Sequence, residues 1–503
     1  MTTQAIRTGF FTAVLLLVTP LAADPIPAPS SVAGDDGDAG QALAREAQIV
    51  IDAILEHHID PPARQQMWLD GARAVLAKSG VIRHPELSTA ISRLTTPDDF
   101  VKFATQLWAS KDVRQHLKSP AALREAFIEG LLEALPGGGR LIAQKELIVQ
   151  EQFEGNRYIG TGIALSYDQE KKFPQIAQVI PGGPMERAGG RQGDLILRID
   201  DRDARGLDLQ QMIDLLRGEE GTSVALVVGE AVNNSRTLKV TRGPVVFETI
   251  EGVRKADDQQ LWDFHIDARW PICCLRIVRI NGSTVHDLKK IESQLRNSGA
   301  KAVILDLRTV HEGELHHAVL LADALLDGGF IGSVRAQGDV QEFRADRDRV
   351  FRDWPLALLV DRHTGGAGEW VAAAVQDNRA GIIVGEESAG MFQVHSKVTL
   401  SGMDSALSLH TGIFERPDKR RLPAGYVRHS RAGADAPHPG PKGQVTPDHS
   451  LSAGERELMA ATSPMPRRPF LPAPDGSPAS DPILNLAVKV LKARLNVGQS
   501  DGN

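Results

Sequence analysis

Two continuous apolar segments in the C-terminal half of the chain restrict its fold more than any other feature of the sequence. They cover residues 301–308 and 356–361, and a helix-period apolar pattern follows each of them, at residues 315–326 and 367–377. A strand without polar alternation is buried on both faces of its sheet, and parallel strands need crossover helices between them. The sequence therefore predicts βαβ units in an α/β domain over residues 246–492.

The rest of this α/β multidomain chain divides into regions with different patterns. Residues 41–150 carry apolar residues at helical spacing and are expected to form a helical N-terminal region. Residues 155–245 alternate short β-type runs with glycine turns and include one helical pattern, at residues 209–216. Two segments rich in Pro, Ala and Gly cannot bury a core, so we expect a flexible linker at residues 24–40 and a mobile insertion at residues 424–442.

Residues 1–23 have the order of a secretory signal peptide. Arg7 is the only charged residue before the apolar run of residues 9–18, and the small residues that follow favour cleavage near Ala22 or Ala23. The run is short for a membrane span, and an uncleaved anchor is the alternative. No other stretch approaches 18 apolar residues, so we expect no transmembrane span beyond the signal sequence and an exported protein, periplasmic or extracellular.

Charge and cysteine usage exclude several functions. The chain has 57 basic and 64 acidic residues, a net charge of −7, so it offers no basic excess for nucleic acid. Its two cysteines, Cys273 and Cys274, are adjacent, where a disulfide would be strained. The neighbouring His316 and His317 point to different faces of a helix and form no metal pair. We expect no nucleic-acid partner, no metal and no cofactor.

The order of motifs within residues 155–245 resembles a PDZ domain. The matching pieces are a glycine loop at residues 158–163, a Pro-Gly-Gly-Pro turn at 181–189, a Gly-Asp-Leu-Ile strand entry at 193–196 and a Gly-Thr pair at 221–222. The resemblance implies a β-rich domain that binds the C-terminus of a peptide or protein. Amides of a glycine loop converge on a carboxylate, and an exposed strand edge accepts the peptide as an added strand.

The same resemblance implies particular binding residues. The backbone amides of four loop residues would hold the terminal carboxylate, and two helix residues one turn apart would line the pocket for the last side chain. The loop residues are Gly160, Thr161, Gly162 and Ile163, and the helix residues are Met212 and Leu216. Alternatively, the glycines only permit a tight turn and Met212 belongs to the core.

A signal peptide, a helical region, a PDZ-like domain and this α/β domain together resemble the carboxyl-terminal processing peptidases, also called tail-specific proteases. The resemblance runs from about residue 123 to residue 491. The segments that carry it are residues 304–308, 368–377, 384–386 with Gln393, and 443–448. It implies a βαβ fold of the crotonase/ClpP-like peptidase type, with serine-type proteolysis as the activity of the family.

The catalytic positions of that family are occupied by other residues in this chain. In the family a serine, activated by a lysine as general base, attacks the peptide carbonyl. Gly366 stands at the serine position, three residues before Glu369, and Met391 stands at the lysine position. The two positions are 25 residues apart (391 − 366), the family's own spacing. Glycine offers no nucleophile and a thioether exchanges no proton, so both catalytic groups are missing.

The turn on the oxyanion side also differs from the family's pattern. The resemblance places the oxyanion donors at Gly313 and Ala367, but residues 310–313 are Val-His-Glu-Gly where the family has Asn-Pro-Gly-Gly. The carboxylate of Glu312 would therefore stand beside the developing negative charge. Such a charge opposes an oxyanion.

Two functions of different classes follow. The favoured one is a catalytically inactive binding protein, a pseudopeptidase that captures peptide or protein C-termini. The alternative is an active serine-type endopeptidase in which Thr364 or Ser388 supplies the hydroxyl and His311 or His363 the base. Each of these hydroxyls can equally be an ordinary turn residue.

Overall fold

The computed structural model describes residues 36–81, 85–168, 171–231, 233–255, 262–267, 270–417, 444–452 and 481–500. They form two compact units: a small unit, residues 149–248, and a large unit that combines residues up to 148 with those after 248. The expected signal peptide and the insertion at 424–442 lie outside the described residues. None of the helices in the described part of the chain is long and apolar enough to cross a membrane.

Six helices of the large unit form a layer with one apolar core. Trp68, Phe100 and Phe127 lie in this core together with Leu407 and Leu409, which belong to the strand at residues 405–415. The helical region therefore shares its core with a sheet of the large unit. The helices are α1 (Asp36–His57), α2 (Arg64–Lys78), α3 (Leu87–Ser92), α4 (Pro97–Ala109), α5 (Lys111–His116) and α6 (Pro120–Glu133).

The structure differs from two expectations in this part of the chain. The linker was expected to reach residue 40, but residues 36–40 already belong to α1. The region 41–150 is also not entirely helical, because β1 (Gly139–Ala143) precedes α7 (Gln144–Glu154). Strand β1 pairs with residues 405–409, a partner too distant in sequence for local patterns to indicate.

The central sheet of the large unit has the predicted βαβ arrangement. Its strands are β10 (Ile250–Glu251), β13 (His265–Asp267), β14 (Trp270–Ile277), β15 (Ala302–Asp306), β18 (Leu356–Val360), β19 (Ile382–Gly385) and β22 (His449–Ser450). The order is β10-β14-β15-β18-β19-β22, with β13 also paired to β14 and the steps from β14 to β22 parallel. Every residue of β15 and β18 is buried, which confirms the prediction from the two apolar segments.

Helices flank this sheet, and a second sheet completes the large unit. The helices are α10 (Thr284–Asn297), α11 (Leu315–Leu325), α12 (Gly366–Asp377) and α13 (Pro482–Ser500). The second sheet contains β1 and four further strands, β16 (Gly329–Ala336), β17 (Val340–Ala345), β20 (Gln393–Thr399) and β21 (Ser405–Glu415). Their order is β1-β21-β16-β17, with β20 also paired to β21. A separate pair is formed by β11 (Arg254–Lys255) and β12 (Trp262–Asp263).

The small unit is a β-rich fold with one main helix, as the sequence predicts. Its elements are β2 (Tyr158–Gly160), β3 (Ile163–Asp168), β4 (Phe173–Val179), α8 (Pro184–Arg187), β5 (Leu195–Ile199), β6 (Arg202–Asp203), α9 (Leu209–Leu216), β7 (Ser223–Ala231), β8 (Asn234–Thr241) and β9 (Gly243–Val245). The main sheet has the order β3-β4-β5-β7-β8, so β3 is an edge strand. Strands β2 and β9 pair separately.

Candidate functional site

The glycine loop of the small unit connects β2 to the edge strand β3. The carbonyl oxygens of Thr161 and Gly162 accept hydrogen bonds from the amides of Met185 (2.8 Å) and Ile180 (2.9 Å). The N–H groups of Thr161 and Gly162 donate to no other residue in the part of the chain that the structure describes. The loop is thus held through its carbonyl groups while two adjacent amides remain available, which is the arrangement that an anion site needs.

Within the residues that the structure describes, β3 pairs on one side only, with β4, and α9 lies near β3, so its unpaired edge and this helix are the candidate sides of a peptide site. Ile163 of β3 and Ile213 of α9 are partly exposed apolar residues that pack on the core of the small unit. Met212 is fully buried and Leu216 is 6% exposed, so both belong to that core. The assignment of these two residues to an open pocket is therefore corrected, because the core covers both of them, whereas the next residue of the helix, Ile213, is partly exposed.

The structure brings the two altered catalytic positions together at the start of α12. The sulfur of Met391 would lie 2.7 Å from a Cβ atom placed on Gly365, and the Met391 side chain is half exposed. At Gly366 the backbone has φ of +46°, and an added Cβ atom would lie only 2.5 Å from the carbonyl oxygen of His311. The space that a serine side chain would need at position 366 is therefore occupied by the backbone of the turn that contains His311.

Glu369 organises the loop that carries Met391. Its carboxylate is fully buried and accepts hydrogen bonds from the hydroxyl of Ser388, from the amide of Gly390 (2.8 Å) and from the amide of Met391 (2.6 Å). Burial raises the pKa of Glu369 to about 7, against the opposing effect of these three donors. The spacing rule identified Glu369 only as a marker of the helix start, and no local pattern could have shown this long-range contact.

Both hydroxyls considered as replacement nucleophiles are buried and hydrogen-bonded. The Thr364 hydroxyl donates to Leu307 O and Asp361 Oδ1, each at 3.2 Å, and accepts from the Asp361 amide at 3.0 Å. The Ser388 hydroxyl donates to Glu369 and accepts from the Val445 amide at 2.9 Å. Thr364 has no exposed surface and Ser388 has 2%, so both stabilise turns and neither faces solvent.

The two candidate bases, His311 and His363, are exposed and do not contact these hydroxyls. Nδ1 of His311 lies 3.0 Å from Thr309 O, and Nε2 of His363 accepts from Nε of Arg362 at 3.2 Å. No hydrogen bond joins either imidazole to Thr364 or Ser388. Among the described residues, no group of three His, Cys, Asp or Glu side chains could hold a metal ion.

The residues expected on the oxyanion side do lie together. A Cβ atom placed on Gly313 would lie 2.9 Å from the Cβ of Ala367, so the two backbones are adjacent. The Glu312 carboxylate is mostly exposed and lies 3.8 Å from Nε2 of His311. Its negative charge also raises the pKa of Arg279, against the lowering by burial. The turn therefore places an acidic side chain near an imidazole and a guanidinium.

The two units define a class of protein in which a PDZ domain is joined to a peptidase-type α/β domain. Residues 271–428 match Peptidase family S41, and residues 175–229 match the PDZ domain family. The chain therefore contains a region of the Peptidase S41 type and a PDZ domain, and it is similar to proteins named carboxy-terminal-processing protease and tail-specific protease.

Relatives share moderate sequence identity with this chain. The chloroplastic C-terminal processing peptidase of Tetradesmus obliquus is 31% identical over 251 residues, which are 48% of this chain and 53% of that relative. The match thus spans about half the length of that peptidase. The carboxy-terminal-processing protease of Bartonella bacilliformis is 28% identical over 70% of this chain and 77% of its own. The solved structure of the photosystem II D1 C-terminal processing protease aligns at 22% identity and a TM-score of 0.39, covering 82% of this chain and 93% of that one.

Proposed function

We propose that the protein is an exported, catalytically inactive member of this family that binds peptide or protein C-termini through its PDZ domain. The observation that best supports inactivity is the environment of Gly366. This residue has no nucleophilic side chain, and the carbonyl oxygen of His311 occupies the space that such a side chain would need. Met391 supplies no base in the same location. The fallback hydroxyls of Thr364 and Ser388 are buried and committed to turn hydrogen bonds.

Binding is supported by two independent features of the small unit. The Thr161 and Gly162 amides have no partner among the described residues, and β3 offers a free edge for an added strand. Partly exposed Ile163 and Ile213 offer an apolar surface between that edge and α9. We expect affinity on the order of micromolar, because a few main-chain hydrogen bonds and one apolar contact must offset the ordering of a flexible peptide.

The function is tested with the purified chain and an unstructured polypeptide that ends in an apolar residue. We expect binding without cleavage, and weaker binding when the C-terminus is amidated. Cleavage that persists in Thr364→Ala and Ser388→Ala variants would mean that another nucleophile exists, and cleavage abolished by one of them would establish the endopeptidase instead. Equal binding of amidated and free-acid peptides would refute the carboxylate site.

Export is tested separately, because it rests on residues 1–23 alone. N-terminal sequencing of protein from its native compartment should find a chain that begins near residue 24, after the small residues that close the apolar run. A cytoplasmic chain that still begins at Met1 would refute export.

A further inference from the structure

Arg217 lies at the end of α9 that adjoins the glycine loop. It is the C-cap residue of the helix, and its amide donates to Ile213 O. Residues four apart share a helix face, so Arg217 lies one turn beyond the partly exposed Ile213 on the same face of α9. Its side chain is half-buried. A cation therefore follows a partly exposed apolar residue on this face of the helix.

Tyr158 ties the Arg217 side chain to the glycine loop. Nε of Arg217 donates to the Tyr158 hydroxyl at 3.3 Å. The Tyr158 ring covers Gly160, since a Cβ atom placed there would lie 2.5 Å from the ring. The ring also stacks on Phe153 at 5.0 Å and packs against Phe247 at 6.1 Å. The Tyr158 side chain thus contacts the guanidinium of Arg217 through its hydroxyl and Gly160 of the glycine loop through its ring.

The two Nη groups of Arg217 are open. They make no hydrogen bond and no ion pair within the part of the chain that the structure describes. By contrast, Arg242 donates to Leu216 O at 2.8 Å, to Leu215 O at 3.1 Å and to the Thr222 hydroxyl at 3.0 Å. In this way Arg242 neutralises the partial negative charge of the carbonyl groups at the C-terminal end of α9. Without it, that charge would repel an anion at this end of the helix.

We propose that Arg217 donates its Nη hydrogen bonds to the terminal carboxylate of the bound peptide, opposite the amides of Thr161 and Gly162. The inference rests on the proposed function and deepens it, because it assigns the carboxylate a cationic partner as well as the loop. Guanidinium and carboxylate form paired, charge-assisted hydrogen bonds. Tyr158 acts as a positioning residue, since its hydroxyl fixes Nε.

The test measures fluorescence anisotropy of a labelled decapeptide with a C-terminal valine, as the free acid and as the amide, on the full chain. Arg217→Gln should weaken free-acid binding about tenfold or more, the usual effect of losing a hydrogen bond to a charged group, and leave amide binding unchanged. Arg217→Lys should restore part of the loss, because it keeps the charge but not the paired geometry. Tyr158→Phe should cause a smaller loss. Arg202→Gln is the matched control, because Arg202 is exposed on the short strand β6.

The outcomes separate this inference from the proposed function. If the wild-type chain prefers the free acid and Arg217→Gln binds both peptides as the wild type does, the role of Arg217 is overturned and the PDZ-type site stands. If Arg217→Gln weakens the free acid and the amide equally, the arginine supports the groove without touching the carboxylate, which also overturns the inference. If the wild-type chain does not distinguish the two peptides, the proposed function itself fails.

Discussion

Replacing Gly366 with serine should destabilise the large unit without restoring proteolysis. Two effects add at this position. A non-glycine residue in the left-handed region costs about 1–2 kcal/mol, and Gly366 has φ of +46°. The added Cβ would also lie 2.5 Å from His311 O, and forcing atoms into a filled space typically costs about 1–3 kcal/mol more. We expect Gly366→Ser to lower the free energy of unfolding by about 2–5 kcal/mol.

Gly402 gives a matched control in the same unit. It has φ of +77°, but nothing lies within 4 Å of an added Cβ, so Gly402→Ser reports the backbone strain alone. Urea unfolding followed by tryptophan fluorescence suits the comparison, because all six tryptophans lie outside residues 149–248. Gly366→Ser should cost about 1–3 kcal/mol more than Gly402→Ser. Equal costs, or turnover of a casein-like substrate by the Gly366→Ser, Met391→Lys double variant, would refute the argument that the turn has closed over the site.

Two buried titratable groups should give opposite pH dependences of stability. Burial, with the nearby His395 and His58, lowers the pKa of His410 from 6.5 to about 4. The free energy of unfolding should therefore fall by about 3 kcal/mol as pH falls from 6.5 to 4. The urea midpoint of the His410→Gln variant should not show this decrease. Burial raises the pKa of Glu369 from 4.5 to about 7. The contribution of Glu369 to stability should therefore be fully present below pH 4.5 and be lost, by about 3 kcal/mol, as pH rises from 4.5 to 7. Glu369→Gln should lack this second change. A difference from the wild type that does not vary with pH would contradict either assignment.

The sequence predicted the features that depend on local pattern or on fixed spacing. Continuous apolar runs identified β15 and β18, because a strand covered on both faces needs no polar alternation. The resemblance to the processing peptidases, whose serine and lysine have the same 25-residue spacing, implied that positions 366 and 391 lie close together, and Met391 does lie against the backbone beside Gly366. The first result follows from the regular geometry of strands, and the second follows from the resemblance.

Other features depend on contacts between distant segments, and no pattern encodes them. The resemblance to a PDZ domain indicated a helix beside the peptide but could not show which of its residues the core covers, so Met212 and Leu216 were placed in the pocket and lie in the core. The short distance between His311 O and Gly366 depends on the backbone conformation of two separate loops, which a sequence pattern does not specify. The same holds for the contact of Arg217 with Tyr158, 59 residues earlier in the chain.

Glu369 explains how the loop that carries residue 391 keeps its conformation. The loop that carries residue 391 is held by backbone amides that donate to Glu369 and by the Ser388 hydroxyl. A hydrogen bond from a backbone N–H does not depend on the side chain of the residue that donates it. A methionine at position 391 can therefore occupy the same loop conformation as a lysine. The conformation of this loop is in this way independent of the side chain at position 391, whereas the backbone at position 366 favours glycine.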